Sequence, residues 1–244
     1  MGRGLVSQAL DMPVTSLLVV VCSAVWFHCW NRRIGAENVA VSYDLLVRRR
    51  QYWRAVSAAF SHLNALHLLF NMASLWACGA MEVALGSAVY LHVTLLLLLL
   101  STSMAMGGYW LLSKRFGLRR YETQTAVGYS CVVFGWMTIM AQLRPTSSIP
   151  LPGGINLPLN LAPFTSLLIT QLIVRRASLI GHLAGIFAGF FIAWGMLGWL
   201  TPYWLYTTLL FHVTLPVLAS LRESTSIRVP FITLPGDAEA GGGG

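Results

Sequence analysis

The sequence predicts an all-α fold, a polytopic membrane helix bundle, and three observations carry that prediction. Of 244 residues, 56% are hydrophobic and only 10% are charged, whereas a soluble domain carries about 25% charged residues. The mean hydropathy is +0.67. The apolar residues also gather into long runs separated by polar, basic or Pro/Gly-rich breaks. The net charge of +8 comes from short basic clusters between these runs. Orientation signals explain that pattern better than nucleic-acid binding does. Cys22, Cys29, Cys78 and Cys131 lie in or beside apolar runs without a C-x-x-C spacing, which favours neither a disulfide framework nor a zinc site.

Residues 1–13 read as a tail, too short and too poor in basic residues for an organellar transit peptide. Val6 stands where the myristoylation pattern requires Ser or Thr. The first apolar run, Val14 to Trp30, is near the lower limit of about 17 residues for a span. Arg32-Arg33 follows it, and it reads as a retained anchor. Residues 31–62, with Arg48-Arg49-Arg50 and Gln51-Tyr52-Trp53-Arg54, are too polar to span and too aromatic for a linker. Short helices lying at the interface fit them.

The second segment, Leu63 to Gly86, carries His67, Asn71 and Glu82, and the third, Ala88 to Leu112, includes the lipid-facing run Leu95 to Leu100. A basic loop, Lys114 to Glu122, leads to the fourth segment, Val127 to Leu143. Arg144 to Asn156, rich in Pro, Gly and Ser, reads as a loop. The fifth segment, Leu157 to Val174, is the least hydrophobic, and Arg175-Arg176 forms a tight turn into the sixth, Leu179 to Leu197. Tyr203 to Leu215, bracketed by Pro202 and Pro216, is open between a seventh span, a continuation of the sixth segment and an interfacial helix. The domain organisation is thus a tail at 1–13, a membrane domain at 14–219 and a disordered tail at 220–244.

Ionisable groups inside a membrane are functional candidates, because their desolvation must be offset by partners. His67 and Asn71, four residues apart, share a helix face, and His62 lies a little over one turn earlier. In Gly181-His182-Leu183-Ala184-Gly185-Ile186-Phe187-Ala188-Gly189, the histidine and two glycines share another face. Small residues so spaced let two helix backbones approach closely. That approach brings a short histidine to a hydroxyl on a neighbouring helix, and Ser130 offers one. A serine needs a base within about 2.6–3.2 Å to act as a nucleophile. Glu82 lies at the far end of the second segment from His67 and reads as structural, which leaves a Ser130–His182 dyad without a carboxylate. The backbone N–H groups of Ser130 and Cys131, with His67 and Asn71, are candidate oxyanion donors. Val132 departs from the G-x-S-x-G elbow of the α/β-hydrolases.

His62-x4-His67-x3-Asn71, then Gly128-x-Ser130, then Gly181-His182-x-x-Gly185-x-x-x-Gly189, in this order over successive segments, resemble the rhomboid intramembrane serine proteases. Trp53-Arg54 and Glu82-x3-Gly86 look like rhomboid features too, and the stretch from Gly128 to Gly135 is most similar to the small plant rhomboid-like proteins. The resemblance covers roughly Gln51 to Trp194. It implies a six-helix core in which Ser130 is the nucleophile, His182 the base, His67 and Asn71 oxyanion donors, and His62 a supporting residue. It also implies cleavage in or near transmembrane segments of membrane-protein substrates, without metal or cofactor; which membrane holds the chain, endomembrane or organellar, stays open. Many members have Gly directly after the nucleophile where this chain has Cys131, whose Cβ would narrow the approach to the oxyanion hole.

Twelve of the sixteen basic residues fall on the face of the first, third and fifth loops, with Arg3, Arg144, Arg222 and Arg228 on the other. The positive-inside rule makes the twelve-charge face cytoplasmic, whereas the resemblance places it in the lumen or outside. Two readings compete with an active protease. One is an inactive rhomboid-like protein that binds and escorts or retains membrane helices; such proteins usually lack the nucleophile or base, and both are present here. The other is a polyhistidine metal or haem protein, which His62, His67 and His182 are too few and too widely spaced to support.

Overall fold

The structure is a computed structural model and describes residues 4–143, 148–151, 155–158, 161–174 and 177–227. Its helices, in chain order, begin with α1 (Leu5–Asp11), α2 (Pro13–Asn31), α3 (Ala36–Val39), α4 (Trp53–Phe60), α5 (Ala65–Cys78) and α6 (Ala80–Leu85). There follow α7 (Ser87–Trp110), α8 (Arg120–Thr123), α9 (Ser130–Leu143), α10 (Ala162–Ile173), α11 (Leu179–Ala193), α12 (Pro202–Thr208) and α13 (Leu215–Ser224). Among the described residues four helical stretches are long and apolar enough to cross a membrane: Pro13–Asn31, Ala65–Leu85, Ser87–Arg115 and Pro202–Ser224. The apolar helices α9, α10 and α11 are shorter.

These shorter apolar helices matter most. At about 1.5 Å per residue, fourteen-residue α9 is roughly 21 Å long, well under the ~30 Å of a hydrocarbon core. A helix of that length falls short of spanning such a core from one interface to the other. It is also the central helix: Val132, Val133, Phe134, Gly135, Trp136, Thr138, Ile139 and Ala141 are all buried. Trp136 stacks on Tyr90 of α7 with ring centroids 4.5 Å apart, and its indole N–H donates to Thr94 Oγ1 at 3.0 Å. A buried indole needs such a partner. Leu75, Leu97, Cys22 and Tyr129 complete this core.

Glu82 closes the bundle at the end opposite Ser130. Its carboxylate accepts the N–H groups of Val14 and Thr15, both at 2.8 Å, and the Ser87 hydroxyl at 2.7 Å. These are first-turn donors of α2, which an anion satisfies while opposing the positive end of the helix dipole. The structural reading of Glu82 therefore has a mechanism: it caps one helix from another.

On the Ser130 face, residues 32–64 fold as short helical elements, α3 and α4 among them. The Arg54 guanidinium reaches inward to the carbonyls of Glu37 and Ala40 at 3.1 and 2.9 Å. Val41 and Ala126 exchange backbone hydrogen bonds at 3.1 and 2.8 Å. Glu122 accepts from Lys114 at 2.7 Å and from Arg48 at 3.1 Å. The Lys114 hydrogen bond, with the charges of Lys114, Arg48 and Arg119, holds the Glu122 carboxyl below its ordinary range. Two loops far apart in sequence are thereby stapled together over the end of α9.

Two expectations change and one open alternative narrows. The region read as a loop from Arg144 to Asn156 holds strand β1 (Ser148–Leu151) and the start of β2 (Ile155–Pro158), which reaches into the expected fifth segment; the two pair antiparallel with Ser148 opposite Pro158. Tyr203 to Leu215 belongs to one continuous helical stretch, Pro202–Ser224. Its π turn, Leu209–Thr214, immediately precedes α13, whose first turn holds Pro216. A widened turn relieves the clash and lost donor that proline imposes on a regular helix. Finally, helix extends to Ser224, past residue 220. The Trp53 indole donates to Ser224 Oγ at 2.8 Å and its backbone N–H to Ser220 Oγ at 3.2 Å, so α13 ends on the face of the first loop. Arg222 moves to that face with it. The disordered tail expected beyond 227, the turn at Arg175-Arg176, and Arg3, Arg144 and Arg228 lie outside the described residues.

Candidate active site

Gly128 decides where α9 begins. Its φ of +118° is a conformation that side-chain-bearing residues rarely adopt, and it starts the helix at Ser130 instead of Val127. Its N–H donates to the Ala58 carbonyl at 2.8 Å, tying the turn to α4. A Cβ at this position would lie 2.8 Å from His67 Cε1 and 2.9 Å from Nε2. Only a bare Cα lets the His67 ring come this close to the turn that presents Ser130.

Ser130 and His182 meet across α9 and α11. Ser130 Oγ and His182 Nε2 are 2.9 Å apart, although the residues are separated by 52 positions. Glycines make the approach. A Cβ on Gly185 would collide with the Cys131 carbonyl oxygen, and one on Gly189 would lie 2.5 Å from the Gly135 carbonyl oxygen. The two backbones are therefore in direct contact, as small residues permit. Cys131 fits because its Sγ rests against Gly181, where a Cβ would be only 3.2 Å away. Its side chain is taken up on the α11 side of α9. His182 is buried, and its imidazole lies against the Phe134 ring with centroids 4.6 Å apart. Its Nδ1 has no hydrogen-bond partner among the described residues, so no carboxylate among them orients the ring.

α5 supplies the facing wall. Asn64 caps this helix by accepting the His67 N–H at 2.8 Å. The Leu63 N–H donates to His67 Nδ1 at 3.3 Å. A neutral ring that accepts at Nδ1 carries its proton on Nε2, the nitrogen beside Gly128. Asn71 is buried; its amide donates to the His67 carbonyl at 2.9 Å, while its Oδ1 has no partner among the described residues. His62, just outside the membrane helix, sits edge-on to His67 at 5.1 Å between centroids. Burial, aided by His67, pushes its pKa down to about 4, which leaves it neutral at neutral pH.

Two cavities flank the pair and share His67, Ser130 and His182 as a common wall. One, about 340 Å³, lies under the stapled loops and extends along α7 to Tyr109. The other, about 200 Å³, lies between α5, α9, α10 and α11 and includes Asn71. A carbonyl placed at the shared wall would meet a hydroxyl and an imidazole. The first N–H groups of α9, left without intrahelical acceptors, are further donors at that end. Among the described residues no three of His, Cys, Asp and Glu come together as metal ligands would.

The residues singled out from sequence thus converge: Ser130, His182 and His67 line both cavities, Asn71 lines one, and His62 stands behind His67. Sequence reasoning missed Phe134, though Ser130 and Phe134 are four apart and share a helix face. It also missed the conformational demand on Gly128 and the pairing of Tyr109 with Ser178.

Comparison with known proteins gives a consistent answer. The rhomboid domain family matches residues 49–199. The chain is 29% identical over 196 residues to rhomboid-like protein 15 of Arabidopsis thaliana, covering 78% of this chain and 48% of that protein. It is 33% identical over 152 residues to the mitochondrial rhomboid-like protein 14 of the same plant, covering 59% and 43%. To the rhomboid protease GlpG of Yersinia enterocolitica it is 29% identical over 148 residues, covering 59% and 49%. The chain spans about half the length of these relatives or somewhat less. With the domain match extending over most of the bundle that holds Ser130 and His182, the chain belongs to the rhomboid family.

Proposed function

We propose that this protein is an intramembrane serine endopeptidase that hydrolyses peptide bonds in or near transmembrane segments of other membrane proteins. The observation that carries this reading is the 2.9 Å contact between Ser130 Oγ and His182 Nε2, held by backbone contact between their helices. It is supported by the name of the Yersinia relative, a rhomboid protease.

In this reading His182 Nε2 takes the Ser130 proton as Oγ attacks the substrate carbonyl carbon. The carbonyl oxygen becomes an oxyanion, which the Ser130 and Cys131 N–H groups and His67 Nε2–H stabilise; Asn71 serves the same end from the cavity wall. Collapse expels the amine, which takes the proton from His182, and leaves an ester on Ser130. Water entering through the cavities repeats the sequence with His182 as base and releases the acid. Without a carboxylate partner, the imidazole depends on the Phe134 ring and on its own backbone for orientation. His62 supports the site by packing against His67.

The test is cleavage of a model transmembrane substrate by purified wild type, Ser130→Ala and His182→Ala. Each variant is expected to lose roughly 10³-fold or more in turnover, as when one member of a catalytic unit is removed. Variants that cleave as well as wild type would sink the proposal. A wild type that is inert yet co-purifies with substrate helices would favour the binding and escort reading instead.

A further inference from the structure

His182 has a partner for Nε2 and none for Nδ1 among the described residues. A serine hydrolase with a third member uses it to hold the imidazole in place. Here that task falls to the backbone that carries His182. The residue stands in the first helical turn and a half of α11, and helix ends fray because their first N–H groups lack intrahelical acceptors.

The start of α11 is anchored from a different helix. Ser178 is its N-cap: the Ser178 hydroxyl accepts the Gly181 N–H at 3.0 Å, and the Ser178 carbonyl accepts the His182 N–H at 3.0 Å. The same hydroxyl is 2.6 Å from the Tyr109 hydroxyl, which comes from α7, 69 positions away. This is a short O–H···O contact in which either oxygen can donate. Tyr109 is itself fully buried among Met106, Ala184 and Ile180, and it stacks against Tyr121 with centroids 6.3 Å apart. A Cβ on the adjacent Gly108 would lie 2.9 Å from the Ile180 side chain, so α7 and α11 are in tight contact at this level. Tyr109 and Ser178 both line the larger cavity, as Ser130 and His182 do.

We propose that Tyr109 is a positioning residue for the base: through Ser178 it fixes the first turn of α11 and so holds the His182 imidazole on Ser130. The chain of contacts runs from a rigid, buried phenol to the cap hydroxyl, then to the N–H of Gly181 and the carbonyl that binds the N–H of His182. It replaces support at the imidazole with support one turn behind it. Misplacing a catalytic group by about 1 Å can cost roughly 10²-fold in rate. Partial loosening of one turn is therefore expected to cost about tenfold. The kinetic part of this inference rests on the protease reading; the anchoring part does not.

The experiment uses the full chain in detergent or bicelles, with Tyr109→Phe, Ser178→Ala, the double variant and Ser178→Thr. Cleavage kinetics, the unfolding midpoint and hydrogen exchange of the backbone from Leu179 to Gly185 are measured on each. Tyr109→Phe is expected to lower kcat about tenfold, leave KM within about twofold, and speed exchange in this segment while the midpoint stays near wild type. The double variant is expected to be no worse than Ser178→Ala, because both substitutions cut one chain of contacts. Ser178→Thr, which keeps the hydroxyl, recovers most of what Ser178→Ala loses. An unchanged kcat in Tyr109→Phe, or losses in the two single variants that simply multiply in the double, overturns the proposal. If wild type cleaves nothing, the protease reading fails, and exchange alone decides the anchor: faster in Tyr109→Phe upholds it, unchanged removes it.

Discussion

α9 meets α11, which carries His182, and α10 along two seams that are built in opposite ways. Against α11 it packs backbone to backbone: Gly185 leaves no room for a Cβ over the Cys131 carbonyl, and Gly135 and Gly189 repeat the contact further down. Against α10 it leaves a cavity of about 200 Å³. In α10 only Pro163 and Leu167 are buried, while Leu168, Ile169, Leu172 and Ile173 are each more than half exposed. The tight seam lies where Ser130 Oγ and His182 Nε2 meet at 2.9 Å, and under the proposed function the loose seam is where an extended substrate chain would need space. Rigidity in this bundle is local: glycines concentrate it where an ångström matters.

The sharpest way to break that contrast is Gly185→Ala. The new methyl would overlap the Cys131 carbonyl oxygen, which is backbone and cannot rotate away. The helices must part, at a cost on the order of 1–3 kcal/mol for overpacking a tight contact. The Ser130–His182 separation must grow with them. Turnover is expected to fall roughly 10²-fold, together with a lower unfolding midpoint. A variant with wild-type stability and turnover would show that the seam yields, and that the glycines are not what sets the distance.

This asymmetry was half legible in the sequence. The apolar runs announce the spans because hydrocarbon demands about 20 apolar residues wherever a helix crosses. The face of His182, Gly185 and Gly189 is visible because small residues at helical spacing leave a periodic trace. What stays hidden is what depends on partners far away in the chain. Nothing near Tyr109 indicates that its hydroxyl meets Ser178, and nothing near Trp53 indicates Ser220 and Ser224. Helix starts are hidden too. Val127 continues the hydropathy of the fourth segment, yet the positive φ of Gly128 holds it outside the helix. Pro216 misled in the other direction, since the π turn before it lets the helix continue.

A second prediction asks whether the packing that holds the far end of the bundle is separable from the seam. Glu82→Gln keeps the shape of the side chain but removes the charge and one of the two oxygens that accept from Val14 and Thr15. Hydrogen bonds to a charged group are worth about 1.5–3 kcal/mol, so a loss of about 2 kcal/mol is expected in an unfolding titration. α2 begins at the opposite end of the bundle from Ser130, and turnover per folded molecule is expected to stay within about twofold of wild type. A large fall in turnover without loss of stability would mean that the two ends are coupled, and that rigidity is not local to the seam.

The smallest effect is expected on the outer side of α10. Leu172 is 71% exposed, and in a membrane its neighbours there are lipid chains as apolar as itself. Truncating a lipid-facing leucine removes no packed protein contact, and no hydrophobic driving force holds helices together in hydrocarbon. Leu172→Ala is therefore expected to shift stability by less than about 0.5 kcal/mol, measured by the same titration in bicelles. The magnitude discriminates because a leucine in a packed core costs about 2–5 kcal/mol on the same substitution. A loss in that range would place a protein surface against Leu172, and α10 would then be held as firmly as α11. A loss near zero, beside a large one in Gly185→Ala, leaves α9 fixed against α11 and loosely packed against α10.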